Sequence, residues 1–169
     1  MNALRDVLES FLPRKRILNG TSLSEQGRSF TIRKEIGCGV VGARLEELPE
    51  EGKRCDAVFL CKAARSRTFG VVLVELKGGD VNKAIKQVCE TSTMICRNGG
   101  KAPGLHKPVK LVEARKLGRH AGVVRAFIVA RHGLTQRQLD KAKMLKKGIK
   151  LTIKSGKRLE IGCREVVAA

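Results

Sequence analysis

Three residues near the middle of the chain have the chemistry of a hydrolytic site: Asp56, Glu75 and Lys77. Glu75 and Lys77 end the run FGVVLVELK (69–77), whose first six residues are apolar. Such a run suits a central strand buried on both faces. Strand side chains alternate with period two, so Glu75 and Lys77 project from one face. Leu76 projects from the other and leaves its main-chain carbonyl available beside them. CDAVFLC (55–61) reads as a second apolar strand and KAARSRT (62–68) as a hairpin loop. If Cys61 stands opposite Gly70, Asp56 falls directly opposite Glu75, at a Cβ separation of about 4.5–5.5 Å. A slip of one residue would break the pairing.

Two carboxylates that close repel each other, and a divalent cation resolves the conflict. Hard oxygen ligands suit Mg²⁺ or Mn²⁺, which keep several waters and accept phosphate oxygens. Such a cation polarises a phosphodiester and acidifies bound water. Lys77 is then placed to orient or deprotonate the attacking water, or to stabilise developing negative charge.

The elements that must position these groups follow from periodicity. Leu4, Val7, Leu8 and Phe11 recur at helical spacing over 2–12, and Pro13 follows the stop. Residues 19–29 read as a polar loop. SFTIRKEIGCGVVG (29–42) reads as one strand with Phe30, Ile32 and Ile36 on one face, and Gly37, Gly39 and Gly42 suggest a bend or bulge. Gly78, Gly79 and Asp80 turn the chain into a helix over about 81–95, with Asp80 as N-cap and Val81, Ala84, Ile85, Val88 and Ser92 on the packed face. Residues 97–121 are irregular, basic and rich in Gly and Pro. A strand is expected over about 122–131, a helix from Thr135 to about 147, and a terminal hairpin in IKLTIKSGKRLEIG (149–162). The order helix, three strands, helix, strand, helix, hairpin predicts a mixed α/β (α+β) fold. It would be a single domain, with a central mixed sheet flanked by helices.

Asp56, eighteen intervening residues and Glu75-Leu76-Lys77 at the end of an apolar strand resemble the PD-(D/E)xK nuclease superfamily, which includes restriction endonucleases, Holliday-junction resolvases and repair nucleases. The element order over residues 2–131 is similar to its αβββαβ restriction-endonuclease-like core, and 132–169 would add a basic helix and hairpin. The resemblance implies that Asp56, Glu75 and the Leu76 carbonyl bind Mg²⁺ or Mn²⁺ and that Lys77 is catalytic. Some members carry a glutamine on the following helix, where Gln87 stands, which makes Gln87 a further catalytic candidate. The sequence departs from the pattern twice: residue 55 is Cys where the motif has Pro, and residue 91 is Thr where an aromatic follows the glutamine. Members often add a glutamate from the first helix. Glu9 and, on the first strand, Glu35 are candidates, and neither is assigned. Many nucleases of this core act as dimers, which leaves a homodimer open.

Charge supports a polyanionic partner. Thirty-five Lys and Arg against sixteen Asp and Glu give a net charge of +19, which favours nucleic acid. Residues 101–169 carry 18 basic and only 4 acidic side chains. Arg131, Lys141, Lys146 and Lys147 are candidate phosphate contacts. Trp and Tyr are absent, which counts against base-stacking platforms. None of the six cysteines forms a CxxC pair, so a zinc site of usual spacing is not expected. His106, His120 and His132 are scattered, with no pair at ligand spacing. No apolar run approaches the ~20 residues of a membrane-spanning helix, and Asp6 and Glu9 interrupt any signal-peptide core. The expectation is an intracellular, Mg²⁺/Mn²⁺-dependent endonuclease acting on DNA more than RNA, with no membrane partner. The alternatives are a non-catalytic DNA- or RNA-binding protein on the same fold, and an assembly factor that docks on RNA or an acidic protein.

Overall fold

The structure, a computed structural model, describes residues 2–10, 12, 14–45, 54–66, 69–77, 79–96, 121–132, 135–136 and 149–168. Its first helix, α1 (Asn2–Glu9), buries Leu4 and Leu8, four residues apart on one stripe. It ends before the expected residue 12. A short 3₁₀ turn (Arg14–Arg16) leads to Ile17, which bridges to Ala43.

Among the described residues eight strands follow: β1 (Ser22–Glu25), β2 (Arg28–Arg33), β3 (Cys38–Arg44), β4 (Ala57–Ala63), β5 (Phe69–Lys77), β6 (Ala121–Ala130), β7 (Lys150–Ser155) and β8 (Arg158–Gly162). The second helix, α2 (Val81–Cys96), lies between β5 and β6, and a third, α3 (Cys163–Val167), follows β8. The mixed α/β class is present, but the strands form two mixed sheets where one was expected. Five strands are ordered β3-β4-β5-β6-β7, and three are ordered β1-β2-β8. In the larger sheet β3, β4 and β5 are antiparallel while β5, β6 and β7 run parallel.

Three readings of the sequence are corrected here. Residues 19–29 are not a loop: Ser22–Glu25 pairs with Arg28–Thr31 through a turn at Gln26 and Gly27, both at positive φ. That is the geometry of a two-residue hairpin turn, hidden because Leu23 is the only apolar residue in β1. The stretch 29–42 is two strands in different sheets. The chain breaks at Gly37, which has φ +75°, and Ile36 in that turn is 92% exposed and not on the buried face of Phe30 and Ile32. Residues 149–162 are not a hairpin either. β7 pairs parallel with β6, β8 pairs parallel with β2, and Gly156 between them donates its N–H to the Ala130 carbonyl at 3.0 Å. The expected helix 135–147 and the stretch 97–120 lie outside the described residues, apart from Thr135 and Gln136.

The centre of the larger sheet is buried on both faces, as the apolar run of β5 requires. One face packs Val58, Leu60, Val71, Leu73 and Ile128 against Leu4 and Leu8 of α1 and Val81, Ala84, Ile85 and Val88 of α2. The other packs Phe59, Val72, Val74, Leu76 and Phe127 against the small sheet and α3. Phe30 of β2 joins the sheets, its ring centroid 5.8 Å from Phe59 and 5.4 Å from Phe127. Glu75, an odd-numbered residue of β5, falls on the helix-covered face, towards α2.

Candidate active site at the β4–β5 mouth

The register on which the site depends is present: Cys61 stands opposite Gly70 and Ala57 opposite Val74. One step beyond Ala57, Asp56 meets Glu75, and their carboxylates continue the ladder where backbone pairing stops. The Asp56 N–H donates to Glu75 Oε2 at 3.1 Å, and the Leu76 N–H donates to Asp56 Oδ2 at 2.6 Å. Residues of an antiparallel strand point N–H and C=O to the same side. The Leu76 carbonyl therefore also faces the β4 side, where Asp56 lies. The Lys77 ammonium stands 3.1 Å from Glu75 Oε1. Apart from that ion pair, Oε1 is buried without a hydrogen-bond donor.

Burial controls the electrostatics. Glu75 is fully buried and Asp56 nearly so, while the Lys77 side chain keeps 24% exposure. Burial, then repulsion from Asp56, push the Glu75 carboxyl up to about 8, and Lys77 counters only part of this. The neighbouring Cys55 thiol is pushed up to about 12, chiefly by burial and further by both carboxylates. It stays a thiol at neutral pH.

The lead-in to β4 is tied down residue by residue. Gln87 Nε2 donates to the Arg54 carbonyl at 2.7 Å. The Cys55 N–H donates to Thr91 Oγ1 at 2.9 Å, and the Asp56 carbonyl accepts from the Leu45 N–H at 2.9 Å. Gln87 and Thr91 reach this segment because α2 starts immediately after the mouth. Asp80 caps it, its Oδ1 accepting the Lys83 N–H at 2.9 Å. Gln87 is thus beside the site, with its Oε1 buried and lacking a donor. Thr91 was missed as a site residue; its signal was its position four residues after Gln87, on the same helix face.

The other candidates are distributed differently. Glu9 is held by Arg5 at 2.8 Å and Arg14 at 3.0 Å, and the Arg5 hydrogen bond leads the effects that lower its carboxyl. Glu35 accepts the Arg164 N–H at 2.6 Å, at the start of α3 on the opposite side of the sheet. Neither joins the pair, and no group of three or more His, Cys, Asp or Glu side chains with metal-binding geometry occurs among the described residues. Arg131 and His132 are exposed just after Ala130, which pairs with Lys77, so both stand at the same end of the sheet. Lys141, Lys146 and Lys147 lie outside the described residues, as do His106 and His120.

The two carboxylates and the neighbouring Leu76 carbonyl offer hard oxygens, the ligand type that Mg²⁺ or Mn²⁺ takes. Among the described residues, no helix is long and apolar enough to cross a membrane. In comparisons with known proteins, no family model, no curated protein and no solved structure matches the chain.

Proposed function

We propose that the chain is a metal-dependent endonuclease that hydrolyses phosphodiester bonds of nucleic acid, DNA in preference to RNA. The observation that carries this reading is the meeting of Asp56, Glu75 and Lys77 on one face at the mouth of β4 and β5, with the Glu75 carboxyl raised to about 8 by burial and by the neighbouring Asp56. With β1 and β2, which lie between α1 and β3, placed in the small sheet, the order α1–β3–β4–β5–α2–β6 supports a PD-(D/E)xK-like core in a single domain.

Asp56, Glu75 and the Leu76 carbonyl would hold Mg²⁺ or Mn²⁺. The bound cation would polarise the phosphodiester and acidify the attacking water. Lys77, paired to Glu75 yet reaching solvent, orients that water and stabilises negative charge as it builds on the phosphoryl oxygens. Water oxygen would add to phosphorus as its proton passes to solvent, and the sugar oxygen would leave with a proton taken from solvent. Arg131, with the lysines around 141–147, would hold the backbone through non-specific electrostatic contacts. A homodimer and an intracellular site of action belong to the same proposal.

A second reading has one observation on its side: Glu75 is completely covered and already ion-paired, so the trio would serve as an internal salt bridge in a non-catalytic nucleic-acid-binding protein. Incubation with single-stranded, double-stranded and branched DNA and with RNA, in Mg²⁺, Mn²⁺ or EDTA, separates the two. The nuclease reading expects cleavage with either metal, none in EDTA, and none from Glu75→Ala or Lys77→Ala. Cleavage that survives either substitution refutes the site. Salt-sensitive binding without cleavage of any substrate favours the binder.

A further inference from the structure

The two departures from the nuclease motif, Cys55 for Pro and Thr91 for an aromatic, meet in space. Proline has no N–H. Cysteine at 55 brings a backbone donor into a position where the residue is fully buried, and a buried N–H must find an acceptor. Thr91, itself 1% exposed, supplies one: its Oγ1 accepts the Cys55 N–H at 2.9 Å and donates to the Gln87 carbonyl at 2.8 Å. One hydroxyl thus fastens the residue before Asp56 to the helix that faces the site. Gln87 fastens the residue before that, through the Arg54 carbonyl.

We propose that Thr91 is a positioning residue of the metal site, holding Asp56 opposite Glu75 through the Cys55 amide. This rests on the nuclease reading above. The geometry gives it force. Asp56 lies outside the regular ladder, which ends at Ala57 and Val74. Its place is therefore set by its own bonds to Leu45, Glu75 and Leu76 together with the anchoring of 54 and 55. Without the hydroxyl, the buried Cys55 N–H loses its acceptor, and the lead-in shifts to find another. Groups that orient metal ligands typically cost 10–100-fold in metal affinity or activity when removed.

The test compares wild type, Thr91→Val, Thr91→Ser and Glu75→Ala as full chains, reading Mn²⁺ binding by electron paramagnetic resonance beside the melting curve. T91V should bind Mn²⁺ at least about tenfold more weakly, and T91S should stay near wild type because it keeps the acceptor. In cleavage, T91V should raise the metal concentration for half-maximal rate more than it lowers the rate at saturating metal. Equal Mn²⁺ affinity in T91V and wild type, or T91S as weak as T91V, overturns the positioning role and leaves the nuclease reading standing. Mn²⁺ binding absent from wild type, or unchanged in E75A, overturns the nuclease reading and the positioning role with it. Amide hydrogen exchange on wild type decides the matter if T91V fails to fold: Cys55 should exchange as slowly as the β4 amides, and rapid exchange there refutes the clamp.

Discussion

Glu75 is fully buried beside Asp56, and its titration makes the chemistry measurable. An ordinary glutamate releases its proton near 4.5, whereas this one is raised to about 8. Between those values the folded, metal-free protein keeps a proton that the unfolded chain has lost. The Glu75 contribution to stability is therefore complete below about 4.5, falls as pH rises, and levels off above about 8. In EDTA, melting temperature should decline over that window, and Glu75→Gln should remove this component of the decline. Metal needs the carboxylate, so Mn²⁺ affinity should rise with pH until about 8 and release a proton on binding. Lys77→Ala should bring single-turnover cleavage below detection, a loss of at least roughly 10²–10³-fold, the scale of losing a group aimed at developing charge. These three residues were legible because period-two alternation and the hairpin fixed their faces together. Thr91 was not, because its partner is a backbone N–H 36 residues away, brought to it only when α2 docks.

At the scale of elements, local signals read well and distant pairing read badly. β5 and the register of β4 against it followed from a long apolar run and a short loop. α2 followed from its cap and apolar stripe, and Asp80→Ala should cost about 1 kcal/mol in denaturant unfolding. The alternation in 150–162 was equally real, but alternation names a face and not a neighbour. β8 finds its partner in β2, pairing Arg158 with Ser29 across most of the chain. Turn chemistry misled as well, since Ser155-Gly156 suits a hairpin yet sends the chain from one sheet to the other. Gly42 tests how tightly the sheet packs. It lies opposite Phe59, and a Cβ there would drive into the ring and press on Leu18. Gly42→Ala should destabilise by about 1–3 kcal/mol, read from the urea midpoint.

Across the whole molecule, charge and chemistry are separable. The net charge of +19 would attract a polyanion wherever the site lies, and its affinity should fall steeply with salt, by about 0.9 in log–log slope for each duplex phosphate contacted. Glu75→Ala should leave that slope unchanged in a salt titration of binding, because it removes no phosphate contact. Composition points to a class of partner, which the salt titration tests. It could not reveal the second sheet that covers one face of the site strand, because that sheet depends on a pairing between the first and last quarters of the chain. The most direct measurement adds Mg²⁺ last to a preformed complex of the protein with labelled DNA in metal-free buffer. Wild type should convert bound DNA to cleaved product, while E75A stays bound and cuts nothing. A wild-type complex that persists uncut after Mg²⁺, or cleavage by E75A, would contradict the account.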